Sequence, residues 1–270
     1  VSRGFLYVAT GEKWIREAMA SATQLRTIHP DIPIHIFTDV PAVIGPGVFE
    51  EIHRLPEQNW VNSEAKVWSL RRSPFDCTVF LDTDTYTCRD ISDLFAVLDR
   101  FDFAAVPIPA RLHKPHSHAD PADIPGAFQT PNGGMLVWRW SDATRTLFDL
   151  WWDLYSVDRA SAGKGSRDQP SLRVAVWRSG VDILFLPSEY NARLPPRWSF
   201  PNTAVGEVRI IHARPRSLVD LERRWNARDT PRLLTPLPQF VAGVAADRLL
   251  PKQVTARFRT YRKRRATRAR

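Results

Sequence analysis

Short apolar runs alternate with helix-patterned stretches through the first hundred residues of this 270-residue chain, and such alternation points to parallel strands joined by crossover helices. Phe5 to Thr10 (FLYVAT) reads as a buried strand. From Glu12 to Ile28, Trp14, Ile15, Ala18, Ala22 and Leu25 recur at helical spacing, and His29-Pro30 stops the helix because the residue before a proline resists the helical conformation. Ile32 to Thr38 is the next strand. A loop holding Pro41, Gly45, Pro46 and Gly47 leads to a helix from Ser63 to Arg72 and a strand from Cys77 to Leu81 (CTVFL). A turn and a short helix, Ile91 to Leu98, follow, then strands at Phe103 to Ile108 and Met135 to Trp138. Helices at Asp142 to Val157 and Asp168 to Arg178 and strands at Ile183 to Leu186 and Val208 to Ala213 complete the pattern. The aromatic stripe of the Asp142 helix, with Phe148 and Trp151, has the spacing of a core-facing side. Pro109 to Pro131 is too long for a plain connector and reads as a mobile or substrate-facing segment.

Charge separates the chain into two parts. Residues 251 to 270 carry nine cations and no acid, which leaves 29 basic against 29 acidic groups in residues 1 to 250. The excess of +9 therefore belongs to a tail and not to a basic groove through the fold, and nucleic acid is an unfavoured partner. From Pro251 onward, Leu250, Val254, Phe258 and Tyr261 recur at helical spacing among those cations. The expectation is a basic amphipathic helix for an anionic membrane surface. The longest uncharged run, Ile124 to Trp138, holds two prolines and three glycines and is too short to span a bilayer. Cys77 and Cys88 give no disulfide framework, and the start of the chain lacks a secretory pattern, so the reading is a cytoplasmic protein with two free thiols, peripheral on the membrane through its tail. The expected division is a domain over residues 1–230 and a Pro-containing linker with the basic tail over 231–270.

The strand Cys77 to Leu81 ends in Asp82-Thr83-Asp84. With 20 aspartates in the chain, about one or two such triplets arise by chance, so context has to decide. Ligands of open α/β sheets bind at the carboxyl ends of strands, and two carboxylates two residues apart can share one hard cation that also takes diphosphate oxygens. His113, His116 and His118 match no standard zinc spacing and read as loop residues.

Glu64 to Asp84 (EAKVWSLRRSPFDCTVFLDTD) resembles the retaining glycosyltransferases of family 8, the group of glycogenin and bacterial lipopolysaccharide galactosyl- and glucosyltransferases. The likeness continues in order through Asn132-Gly133-Gly134, Asp168-Gln169, Leu186-Pro187 to Tyr190-Asn191, and His212, over about residues 5 to 216. It implies a GT-A fold, a Rossmann-like mixed central sheet with flanking helices. The implied reaction moves a sugar, a hexose, from a nucleotide diphosphate sugar such as a UDP-sugar to a saccharide or glycolipid acceptor, with retention. By the same resemblance Asp82, Asp84 and His212 hold Mn2+ or Mg2+, and a nitrogen ligand tilts the choice toward manganese. Lys66 touches the diphosphate or donor sugar, and Asn132, Gly134, Asp168 and Gln169 line the sugar. Thr10, Trp14 and Thr83 join the donor site. Arg214 or Arg216 stands in for the family's phosphate-contacting lysine, and the two remain open alternatives.

Retention is read either as a same-face reaction, in which the departing phosphate oxygen takes the acceptor's proton, or as a covalent intermediate on Asp168. The enzymatic rival is a phosphatase of the haloacid dehalogenase type acting through Asp82 and Asp84. That motif usually opens its chain, carries Thr or Val where Tyr86 stands here, and is followed by a G-D-x-x-x-D segment absent from this sequence.

Overall fold

The computed structural model describes residues 1–61, 63–108, 123–162, 167–193, 203–214, 217–227 and 232–233. The expected mixed α/β architecture is what forms. Seven strands make the large sheet: β1 (Arg3–Ala9), β2 (Ile34–Thr38), β3 (Glu51–Arg54), β4 (Cys77–Leu81), β6 (Phe103–Pro107), β7 (Pro131–Arg139) and β8 (Ile183–Phe185), in the order β3-β2-β1-β4-β7-β6-β8. β1 to β4 pair in parallel, whereas β7 is antiparallel to both β4 and β6. A smaller sheet joins β5 (Thr85–Thr87), β11 (Ile210–His212) and β9 (Ala192–Arg193) in the order β5-β11-β9, and β10 (Thr203–Ala204) pairs with β12 (Arg232–Leu233).

Alternation along the strands sends successive side chains to opposite layers. Phe5, Tyr7 and Ala9 of β1 pack with Ile15, Ala18, Ala22 and Leu25 of helix α1 (Glu12–Ile28) on one face. Leu6 of β1, Phe37 of β2 and Trp138 of β7 face the other layer. There they meet α2 (Glu64–Leu70), α4 (Asp142–Ala162) and α5 (Asp168–Ser179) through Val67, Phe148, Trp151 and Leu172. Phe148 and Trp151 are fully buried, so the stripe of α4 is core, each such side chain contributing about 1.5–3 kcal/mol. α6 (Leu218–Trp225) covers the small sheet with Leu221 and Trp225.

The expected elements form with ends shifted by a few residues, and four features differ in kind. Glu51–Arg54 is an edge strand, and Thr85–Thr87 is a strand where a turn was expected. Asn132-Gly133-Gly134 lies inside β7 and does not precede it. The short helix at Ile91 to Leu98 shrinks to α3 (Asp93–Ala96) followed by a 3-10 turn. Cys77 and Cys88 are buried free thiols, and no described helix is long and apolar enough to cross a membrane. His113, His116, His118, Arg216 and the tail at 251–270 lie outside the described residues.

Candidate functional site

Asp82 follows directly on β4, and its backbone is fixed from two sides. Its N–H donates to Gly134 O across the antiparallel β4–β7 pair at 2.8 Å, and its carbonyl accepts from the Thr85 hydroxyl at 2.7 Å. Asp84 lies at the entry to β5, and β5 pairs antiparallel with β11 so that Thr85 stands opposite His212. The Ala213 N–H donates to Asp84 O at 3.0 Å, closing that register. The small sheet thus carries His212 to the carboxylates that β4 delivers, with His212 Nε2 at 3.2 Å from Asp84 Oδ1 and 3.9 Å from Asp82 Oδ2.

One ligand atom from each of Asp82, Asp84 and His212 lies within 4.8 Å of the others. Neighbouring ligands at metal–ligand lengths of 2.0–2.2 Å stand about 3 Å apart, so the set closes on a cation by side-chain movement alone. The His212 Nδ1–H donates to Asn191 Oδ1 at 2.8 Å, which directs Nε2 at the carboxylates and gives the histidine the outer partner that ligating imidazoles need. Gly134 makes room for the cluster. A Cβ built there would stand 2.1 Å from His212 Cε1 and 2.9 Å from Asp82 Oδ2. Two carboxylates and one imidazole in a cradle shaped by a missing side chain fit a divalent cation and leave coordination positions for diphosphate oxygens.

Lys66, on the first turns of α2, forms the second half of the arrangement. Its Nζ lies 2.6 Å from Asp168 Oδ2 and 3.3 Å from Asp82 Oδ1, and donates to Gly133 O at 3.2 Å. Burial works against the ammonium, but Asp168 and then Asp82 overcome it and hold the pKa above its ordinary range. Asp168 is the first residue of α5 with Arg167 at the cap position, so its carboxylate faces Lys66 and leaves the cap unmade. Its carbonyl accepts from the Trp151 indole and the Ser171 hydroxyl, each at 3.0 Å, which locks the start of α5 onto α4. Asn132 is buried, and its Oδ1 accepts from the Gly134 N–H at 2.9 Å and from Gln169 Nε2 at 3.4 Å.

For Asp84, burial pushes the carboxyl up, but the His212 hydrogen bond and charge, with the Arg214 guanidinium, outweigh it and bring the pKa to about 2. Arg214 Nη1 lies 3.1 Å from Asp84 Oδ2, and its guanidinium sits 4.9 Å over the exposed Trp14 ring. Glu17 receives Arg214 Nε at 2.6 Å and the Thr83 hydroxyl at 2.5 Å. Asp82, Asp84, His212, Lys66, Asp168, Asn132, Gly134, Gln169, Thr83 and Arg214 therefore form one connected cluster, with Trp14 at its rim. Thr10 stands apart at the end of β1, beside Gly11, whose N–H donates to Asp39 Oδ1 at 2.8 Å.

Glu17 was not a sequence candidate. Its signal is its place three residues after Trp14 on α1, which aligns the two on one helix face. Asn191 stood in the sequence only as part of a longer segment, and its bond to His212 depends on pairing between distant strands.

Neither a family model nor a curated protein matches the chain. Among solved structures, the chain is similar to the galactosyltransferase LgtC in complex with donor and acceptor sugar analogues, at 13% identity over 77% of this chain and 86% of that one, TM-score 0.47. It is also similar to the apo structure of WbbM, a bifunctional glycosyltransferase, at 14% identity over 71% of this chain and 40% of that one, TM-score 0.49. Neither likeness assigns a residue or a reaction to this chain.

Proposed function

We propose that this chain is a glycosyltransferase that depends on a divalent metal and moves a hexose from a nucleotide diphosphate sugar, a UDP-sugar, to a saccharide or lipid-linked saccharide acceptor with retention at the anomeric carbon. The observation that carries the reading is the meeting of Asp82, Asp84 and His212 around Gly134, with Lys66 and Asp168 directly beside them. The ordered family 8 motifs in the sequence also support it.

Asp82, Asp84 and His212 would hold Mn2+ or Mg2+, which when bound neutralises the leaving diphosphate. Lys66 supplies a fixed positive charge next to that place and stays protonated throughout, so its contribution grows as charge develops on the leaving oxygen. Asn132 and Gln169 orient the sugar by hydrogen bonds, and Gly133 and Gly134 let Lys66, Asp168 and His212 close in on the strand beside it. Trp14 offers a ring face to the base, with Thr10 beside it, and Arg214 offers a fork to phosphate oxygens. Asp168 bears on the choice between mechanisms. An ammonium 2.6 Å from Asp168 Oδ2 stabilises the carboxylate and lowers its nucleophilicity, which favours the same-face reaction over a covalent intermediate.

The catalytic unit in this proposal is residues 1–230, with residues 251–270 resting on an anionic membrane surface, each engaged cation adding about 1 kcal/mol. Deletion of 251–270 should abolish sedimentation with anionic liposomes and spare transfer to a soluble acceptor. The deciding experiment for the reaction is a donor screen by nucleotide release and thermal stabilisation, with Mn2+ and with chelator, followed by NMR of the product anomer. Absence of both release and stabilisation across nucleotide sugars in Mn2+ would sink the proposal, and an inverted product would remove the family assignment.

A further inference from the structure

A second group of imidazole and carboxylate side chains lies on the edge of the large sheet, on β2 and β3. In the parallel register His35 stands opposite Glu51 and Phe37 opposite His53, and residues two apart on a strand share a face. His35, Glu51 and His53 therefore converge on the side that also carries Phe37. His35 Nδ1 is 3.1 Å from His53 Nε2, Glu51 Oε2 is 3.8 Å from His35 Nδ1, and Glu51 Oε1 is 3.7 Å from His53 Nδ1. One ligand atom from each lies within 4.8 Å of the others.

Packing fixes both rings. His35 is buried against Phe75 with ring centroids 4.4 Å apart, and Phe75 is itself seated on Gly4, where a Cβ would come within 2.2 Å of its ring. His53 stacks on Phe37 at 4.6 Å and 24°. Imidazoles immobilised in this way lose little further freedom when they ligate. Glu51 is exposed and leaves a path from solvent.

We propose that His35, Glu51 and His53 form a second metal centre, a site for zinc or a similar borderline transition metal that pins the edge strand β3 to β2, with solvent in the fourth position. Two imidazoles and a carboxylate are a zinc-type donor set and a poor one for Mg2+ or Ca2+. Nitrogens bound to zinc at 2.0–2.1 Å in a tetrahedral site stand about 3.3 Å apart, close to the present spacing of the two rings. The metal takes the place of the hydrogen bond that the rings otherwise share. The centre lies on the β2–β3 edge, with β1 between it and β4, so it holds the sheet and does not face the donor sugar.

The test uses the untagged full-length chain, stripped with chelator. Zinc binding is measured by calorimetry, and Co2+ is used as a visible probe whose absorption reports a four-coordinate site. The Asp84→Ala/His212→Ala double variant isolates the second centre and is expected to keep one equivalent of Zn2+ and the four-coordinate Co2+ bands. In that background His53→Gln and, separately, Glu51→Gln should weaken Zn2+ by at least about tenfold, the loss that even an outer partner of a metal site causes. Glu51 is 60% exposed, so its variant tests the site without disturbing the core, and circular dichroism checks the fold of both. A double variant that binds no Zn2+, or one whose Zn2+ affinity is unchanged by both further substitutions, overturns the proposal.

Discussion

His212 reaches Asp82 and Asp84 from a strand of the small sheet, while His35 meets His53 from the neighbouring strand of the large one. The first cluster gathers residues far apart in sequence, and its space exists because Gly134 has no side chain. The second needs only that two adjacent strands keep register, and its rings rest on phenylalanines. A centre made by long-range convergence can present open coordination positions to a substrate, because no single element fills it. A centre made on one sheet edge is framed by two paired strands and suits the task of holding them in register.

Asp84→Ala and His212→Ala should each lower transfer by about 10²–10³-fold or more while the melting behaviour shows an intact fold. Full activity of Asp84→Ala in chelator would remove the metal from the reaction altogether. Gly134→Ala places a methyl in contact with His212 and Asp82, and should lose Mn2+ binding along with about 1–3 kcal/mol of unfolding free energy. Zinc bound at the β2–β3 edge should be untouched by that change, and joint loss would show that the two clusters are not independent.

Lys66→Ala should reduce turnover by about 10²-fold while free nucleotide binds nearly as well, a split visible in kcat against nucleotide affinity. Unchanged turnover would return Lys66 to a purely structural ion pair with Asp168. Asn191→Ala should weaken Mn2+ by about tenfold by releasing the His212 ring, read by titration.

The smallest effect concerns acid. Burial raises the Glu50 carboxyl, but the Ile34 N–H and Arg26 outweigh it and hold it below its ordinary 4.5. A carboxyl with a depressed folded pKa stabilises fully above the unfolded value and loses that contribution as pH falls. Unfolding of Glu50→Gln should therefore depend less steeply on pH below about 4.5 than that of the natural chain, measured by denaturant titration at several pH values. An equal slope would assign acid sensitivity to other carboxylates.

The sequence made the parallel half of the sheet legible because its strands are buried runs and α1 carries a regular apolar stripe. β3 was invisible for the opposite reason. Glu-Ile-His-Arg holds one apolar residue, and an edge strand owes its conformation to pairing with β2, which no local pattern records. β7 was read as starting after its glycines, since Gly interrupts strand periodicity. The structure accepts Gly133 and Gly134 within the strand because Lys66, Asp168 and His212 press against that backbone. Asp82 and Asp84 stood out by their place after an apolar strand, whereas His212 became a ligand candidate only through the family resemblance. Spacing alone says nothing about two strands that meet across the fold, and the pairing of His35 with His53 was hidden by the same gap.

The position of β11 in the chain also sets a schedule during synthesis. All seven strands of the large sheet have left the ribosome by Phe185, and His212 follows only later. A growing polypeptide can thus complete its main sheet with Asp82, Lys66 and Asp168 in place while the imidazole is still missing. During that interval Lys66 balances the two aspartates it touches, and a cation arriving early finds no nitrogen to fix it. Closure of the three-stranded sheet is the event that brings His212 to the carboxylates, so the proposed metal centre would be completed only by the last third of the chain.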